Sequence, residues 1–130
     1  MMHLSRFLIF AGALLTWTIS SFAADVVPFD QARFEAAQKE GRSILVDITA
    51  PWCPTCKAQK PVLENLAARP DFKDLTIFTV DFDTQKQTVA ALKASSQSTL
   101  IAFKGSRETA RSVGDTQAAS IKALRRSAIN

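Results

Sequence analysis

The stretch "APWCPTCKAQKP", residues 50–61, holds the only two cysteines of the chain, Cys53 and Cys56, three positions apart with Pro54 and Thr55 between them. Such a pair is open to three chemistries: a structural disulfide, half of a metal site, or a redox couple. A bridge across three positions closes a very short loop and removes little entropy from the unfolded chain, so the spacing argues against a structural staple. Two thiolates supply half of a tetrahedral metal shell, and the only histidine, His3, lies far off near the N-terminus. That lone histidine also leaves no partner for a protease-type serine or cysteine. A redox couple needs only what is present. Cys53 reads as the first residue of a helix that follows a buried strand, where unpaired N–H groups and partial positive charge favour a thiolate. Lys57 and Lys60 add positive potential, and Cys56 can donate its S–H or N–H to the same sulfur. A thiol that starts near pKa ~8.5 becomes a nucleophile around neutral pH in such surroundings. Cys53 is therefore the expected nucleophile, and Cys56 the inward-facing resolving thiol.

The neighbours refine this reading. Pro54 suits the first helical turn, which can spare its N–H. Thr55 keeps an N–H and a hydroxyl that a proline there would lack, so the couple is expected to be more oxidising than one with Gly-Pro between the cysteines. Asp47 interrupts the apolar run "ILVDI". Burial disfavours its charge and raises its pKa. It reads either as a proton acceptor for Cys56 or as a buried acid satisfied by a backbone group or a lysine. Trp52 reads either as a cover for the sulfur and a flat contact surface for partners, or as an ordinary half-buried aromatic.

Several elements must position these groups. A possible extended start at "DVV" precedes Pro28. "FDQARFEAAQKEG" predicts a helix capped by Asp30, with Phe34 and Ala37 on its inner face and Gly41 at its exit. "SILVDIT", residues 43–49, is a nearly unbroken apolar run, the pattern of a strand buried on both faces. The helix after the cysteines carries Val62, Leu63, Leu66 and Ala67 at helical spacing and contains Pro61. "LTIFTVDFD", residues 75–83, predicts a second strand, and a Thr84–Gln87 capping box opens a helix with Val89 and Leu92 inward. "STLIAFKGSRETARSVG" predicts a hairpin turning at Lys104 to Ser106, its second arm charged like an edge strand. A last helix places Ala118, Ile121 and Leu124 inward, and "LRRS" at 124–127 reads as its solvated end. Strands joined through helices imply parallel neighbours, and the hairpin adds an antiparallel edge, giving one mixed sheet with helices on both faces.

The chain has 130 residues, enough for one domain, and its 47% hydrophobic and 22% charged content is that of a globular protein. The net charge of +4 is mild and scattered, without the interleaved aromatic residues of a nucleic-acid surface. The N-terminus reads differently. Arg6, the 13-residue run "FLIFAGALLTWTI" and the small residues Ser21 and Ala23 form a secretory signal pattern, with cleavage expected after Ala23. The run is short of the ~20 residues that span a bilayer, so an uncleaved anchor is the weaker reading. The domain is then residues 24–130, outside the cytosol, in the periplasm or secreted.

"ILVDITAPWCPTCK", Pro61 in the next helix and the closing hairpin down to Gly114 together resemble the thioredoxin family over nearly all of residues 24–130. The resemblance implies a thioredoxin fold, an α/β architecture whose central mixed sheet has about four strands with helices on both faces, and thiol–disulfide exchange with protein dithiols and disulfides. It assigns Cys53 as nucleophile, Cys56 as resolving cysteine and the two as a disulfide when oxidised, and it favours Asp47 as the proton relay. Trp52, Pro54, Thr55, Lys57, Gln97 and Ser98 form the expected active-site surface. No cofactor or metal is expected. The exported form is most similar to periplasmic disulfide reductases, which implies a membrane thiol-electron transporter or another thioredoxin-like protein as electron source; the absence of a dimerisation segment implies a monomer. One departure stands out. The family places a cis-proline at the head of the hairpin strand, and this chain has Ser98 there, with no proline after Pro70. A cis bond before a non-proline residue costs ~3 kcal/mol, so Gln97–Ser98 is expected to be trans and the substrate-docking loop altered. Thr49 also stands where many thioredoxins have another tryptophan. Two alternatives remain: a metal- or cluster-binding carrier that uses the same cysteines with ligands from a second chain, and a redox-inert interaction domain.

Overall fold

The structure, a computed structural model, describes residues 23–130; the signal segment expected at residues 1–23 lies outside the described residues except for Ala23. Among the described residues, five strands form one mixed sheet: β1 (Asp25–Pro28), β2 (Ser43–Thr49), β3 (Leu75–Asp81), β4 (Thr99–Lys104) and β5 (Arg107–Val113), in the order β1-β3-β2-β4-β5. The extended start "DVV" is thus a full fifth strand, parallel to β3. β2 and β3 are parallel, β4 runs antiparallel to β2, and β5 closes the edge as the second arm of the expected hairpin.

The α-helices of the described residues cover the two faces: α1 (Gln31–Lys39), α2 (Pro54–Ala67), α3 (Lys86–Ala91) and α4 (Ala118–Ser127). A short 3-10 turn at Pro70–Phe72 follows α2. Successive side chains of a strand point to opposite faces, and β2 uses this directly. Ile44, Val46 and Ile48 join Phe78, Val80, Ile101 and Phe103 beneath Phe34 and Ala37 of α1 and Val89 of α3. Leu45 joins Ile77, Leu100 and Ala102 on the other face, under Leu63 and Leu66 of α2 and Ile121 and Leu124 of α4. Asp47, two residues on from Leu45, therefore belongs to the α2 and α4 face.

The start of α1 follows local chemistry. The Asp30 carboxylate accepts from the Arg33 N–H at the head of α1, as expected. The expected Thr84–Gln87 capping box does not form. α3 begins later, with Gln85 at its N-cap and no side-chain cap. The turn before it is instead closed by Asp81, whose Oδ1 accepts from the N–H groups of Asp83 and Thr84. A carboxylate at the strand end reaches two adjacent N–H donors there, and those bonds hold its pKa below the usual carboxylate range. Two expectations for α4 also change. Ala118, at the exposed first turn, faces solvent, whereas Arg125 is wholly buried. Arg125 lies four residues after Ile121 and three before the buried Ala128, so the inward stripe of the helix carries it in.

Candidate active site

The topology brings three chain segments to one end of the sheet. β2 ends at Thr49 and leads into the cysteines, and Ile48 pairs with Thr99, the first residue of antiparallel β4. The residue just before β4, Ser98, must then lie beside whatever follows β2. The loop after β3 completes the enclosure, because the Phe82 N–H donates to the Thr49 carbonyl at 2.9 Å and its ring packs on Ala50, Cys53 and Cys56.

Cys53 is the N-cap of α2, with extended backbone at φ −82° and ψ 114°, and Pro54 occupies the first helical turn. Its Sγ accepts from the Cys56 N–H at 3.1 Å and lies 3.1 Å from Ser98 Oγ. Ser98 Oγ is also 3.2 Å from Cys56 Sγ, and the two sulfurs are placed as a disulfide. The donors to the Cys53 sulfur are thus the Cys56 N–H and the serine hydroxyl, in place of the groups expected from Thr55. Both sulfurs are enclosed: Cys53 is 1% exposed and Cys56 7%. Cys56 was expected to be the inward member of the pair, and burial does not separate the two. What does separate them is that Cys56 lines an adjoining cavity of about 530 Å³, lined also by Asp47, Lys57, Lys60 and Arg125.

Burial raises Asp47 from 3.8 to about 6, and the Arg125 charge opposes the rise. Burial likewise lowers Arg125 from its ordinary value to about 10, and Asp47 opposes that. The guanidinium donates Nη2–H to the Leu63 carbonyl at 3.1 Å and lies 5.9 Å from the Phe72 ring centroid, while its Nε and Nη1 have no hydrogen-bond partner among the described residues. The charge that acts on this carboxyl across the cavity is thus an arginine's, from the last helix, without a direct ion pair between the two.

Trp52 is 55% exposed, and its Nε1–H donates to Asp83 at 2.7 Å, which fixes the ring on the surface next to the cysteines. The Gln97–Ser98 bond is trans, as expected, with Ser98 at φ 61°. The Ser98 carbonyl accepts from the Gly114 N–H at 2.9 Å and from Gln59 Nε2 at 3.3 Å, and Gln59 Nε2 also donates to the Asp115 carbonyl at 2.7 Å. Lys57 and Thr55 lie on the first turn of α2, where Lys57 is exposed and Thr55 half-buried. Sequence reasoning missed Gln59, Asp83 and Arg125. Gln59 had a signal, since it falls in the inward series Cys56, Gln59, Leu63, Leu66. Asp83 had none, because a loop acid carries no periodicity.

A cysteine pair that caps a helix at the end of a central parallel strand, with a buried acid behind it, is the site of a thiol–disulfide oxidoreductase. Residues 25–126 match the family described as Thioredoxin. Over 103 residues, 79% of this chain and 78% of the relative, the chain is 35% identical to thioredoxin of Mycobacterium tuberculosis. It is 44% identical to thioredoxin of Chlamydia trachomatis over 71 residues, 55% of this chain and 68% of that one. Among solved structures, Trxlp from Edwardsiella tarda superposes with a TM-score of 0.74 at 41% identity, covering 76% of this chain and 96% of that one. The chain belongs to the thioredoxin family.

Proposed function

We propose that this chain is an exported thiol–disulfide oxidoreductase that exchanges disulfides with protein partners, Cys53 being the attacking sulfur and Cys56 the resolving one. The observation that carries this reading is the asymmetry of the pair: Cys53 caps α2, while Cys56 shares its cavity with Asp47. The Cys53 thiolate attacks one sulfur of a partner disulfide, a mixed disulfide forms, and the partner's other sulfur leaves as a thiolate. Cys56 then gives its proton to the Asp47 carboxylate and attacks Cys53 Sγ. The mixed disulfide breaks, the partner's second thiolate leaves, and two electrons have passed from the cysteine pair to the partner. The same steps in reverse oxidise a dithiol partner. An acid held near pKa 6 is suited to the transfer, because it is ionised at neutral pH yet basic enough to accept a proton.

The signal pattern of residues 1–23 supports export, to the periplasm or beyond, with the chain acting as a monomer supplied with electrons by a membrane thiol transporter or a second thioredoxin-like protein. A Cys56→Ser variant of the full chain, expressed in a Gram-negative host, tests the reading. Its Cys53 is expected to stay covalently bound to partner proteins in the exported fraction, and the N-terminus there to begin at Ala24. An empty trap at normal levels of folded protein would count against exchange with proteins; an intact N-terminus in the cytosol would end the export part alone.

A further inference from the structure

Ser98 contacts both sulfurs, and the fold holds it there at a cost. Its φ of 61° lies in the left-handed region, which glycine enters freely and other side chains avoid. A strained residue persists where its surroundings over-determine it. Here the Gly114 N–H and Gln59 Nε2 both grip its carbonyl, and the Gln59 amide is itself anchored to Asp115. Clamped this way, and only 3% exposed, the side chain has its Oγ 3.1 Å from Cys53 Sγ and 3.2 Å from Cys56 Sγ.

A hydroxyl has one proton to donate, together with lone pairs to accept, and its O–H rotates. It can therefore serve one sulfur as donor and the other as acceptor, and exchange the two roles. A disulfide sulfur is a weak acceptor, whereas a thiolate is charged, and hydrogen bonds to charged groups are roughly twice as strong as neutral ones. The hydroxyl thus favours the reduced pair over the oxidised one. Cys53 Sγ has a second donor in the Cys56 N–H; for Cys56 Sγ, Ser98 is the one hydrogen-bond partner among the described residues.

We propose that Ser98 is a catalytic residue of the exchange, its hydroxyl donating to whichever sulfur carries the negative charge: Cys53 in the reduced chain, and Cys56 when it is the leaving group. The proposal rests on the reading of Cys53 as the attacked and attacking sulfur. When the disulfide is opened, an incoming thiolate bonds to Cys53 Sγ, the Cys53–Cys56 bond breaks, and its electron pair leaves on Cys56 Sγ. The Ser98 O–H turns to that sulfur, and a proton then reaches it from the Asp47 side of the cavity. In the reduced chain the Cys56 S–H donates to Ser98 Oγ while the Ser98 O–H donates to the Cys53 thiolate. The charged groups around the pair are Asp47 on β2, Asp81 on β3, Lys57, Lys60 and Glu64 on α2, and Arg125 on α4, all lining the adjoining cavity. They remain in place when the hydroxyl is removed.

Two variants of the full chain separate hydroxyl from backbone. Ser98→Ala deletes the oxygen alone, and Ser98→Gly deletes it while also relieving the left-handed strain. The thiolate absorbance of the reduced chain is titrated, and the disulfide is equilibrated with glutathione. In both variants the titration midpoint of Cys53 is expected to rise by about one pH unit, and the equilibrium to move about tenfold toward the protein disulfide, or ~30 mV more reducing. Folded variants that both titrate and equilibrate like the parent would overturn the proposal, as would a shift in the alanine variant alone. Limited alkylation of the parent chain checks the underlying assignment separately. If Cys56 is modified before Cys53, the attacking-sulfur reading falls and the proposal falls with it; if Cys53 reacts first and the variants are unshifted, only the proposal falls.

Discussion

Asp47 on β2 and Arg125 on α4 line the same cavity without a direct ion pair, each made less favourable in its charged form by burial and each favouring the charge of the other. Arg125→Met removes the cation and leaves an apolar stem of similar length. The Asp47 pKa then rises above its present value of about 6. The pH at which Cys56 releases a mixed disulfide half-maximally is expected to rise with it, measured by stopped-flow with a labelled disulfide. Because two guanidinium nitrogens have no hydrogen-bond partner among the described residues, stability is expected to change by no more than ~1 kcal/mol.

The same carboxyl makes stability depend on pH. Folded Asp47 titrates near 6 against an ordinary 3.8, so between those values the folded chain holds a proton that the unfolded chain has lost. Stability conferred by the neutral acid is complete below the unfolded pKa and falls as pH rises toward 6. Asp47→Asn is expected to be more stable than the parent at pH 7, by roughly 2–3 kcal/mol at 1.36 kcal/mol per pKa unit, and no more stable at pH 3. Urea unfolding at the two pH values measures this. The same variant is expected to slow mixed-disulfide release by roughly 100-fold, the lower range for loss of a general base.

Trp52 is the only tryptophan in residues 24–130, so the fluorescence of that segment comes from the ring tethered to Asp83. In Asp83→Ala of that segment, the Trp52 anisotropy is expected to fall while stability changes by less than ~1 kcal/mol, the pair being exposed. The KM for a protein disulfide is expected to rise and the rate with a small disulfide to stay as it was.

Donors to the Cys53 sulfur stabilise the thiolate and hence the reduced form. The potential against glutathione is expected to lie above about −270 mV, the value of a thioredoxin couple.

Phe34 packs edge-on against Phe78 and Phe103, on the face of the sheet away from the cavity. Phe34→Ala is expected to cost about 3–5 kcal/mol in urea unfolding and to leave the glutathione equilibrium unchanged. Stability and redox chemistry would then be separable by face.

What the sequence made legible was whatever repeats or sits in a dense motif. β2 appears at its expected bounds, because an apolar run flanked by polar residues allows few alternatives. The hairpin turn and the Asp30 cap were legible for the same local reason. β1 was only a possible start, since an exposed four-residue strand has too little pattern to separate it from a loop. The Thr84 box failed because Asp81 competes for the same N–H groups. Arg125 reads as solvated because a charge in a basic cluster is normally at the surface, and only its phase with Ile121 and Ala128 marks it as buried. Ser98 was recognised as a departure, but its reach to both sulfurs depends on the β2–β4 register, which no local pattern encodes.

Cys53 and Cys56 can find one another in a chain with no structure at all, since three positions separate them. Ser98 can reach them only after β2 has paired with β4. The disulfide is thus available before folding, and the hydroxyl contact only after it. Closing the cycle between oxidised and reduced, folded and unfolded, ties the two together. Any amount by which the fold makes the couple more oxidising than the bare motif must reappear as extra folding stability of the dithiol form. A pair of melting curves, one for each redox state, therefore reads how far the fold shifts the electron affinity of the motif, without any partner being present.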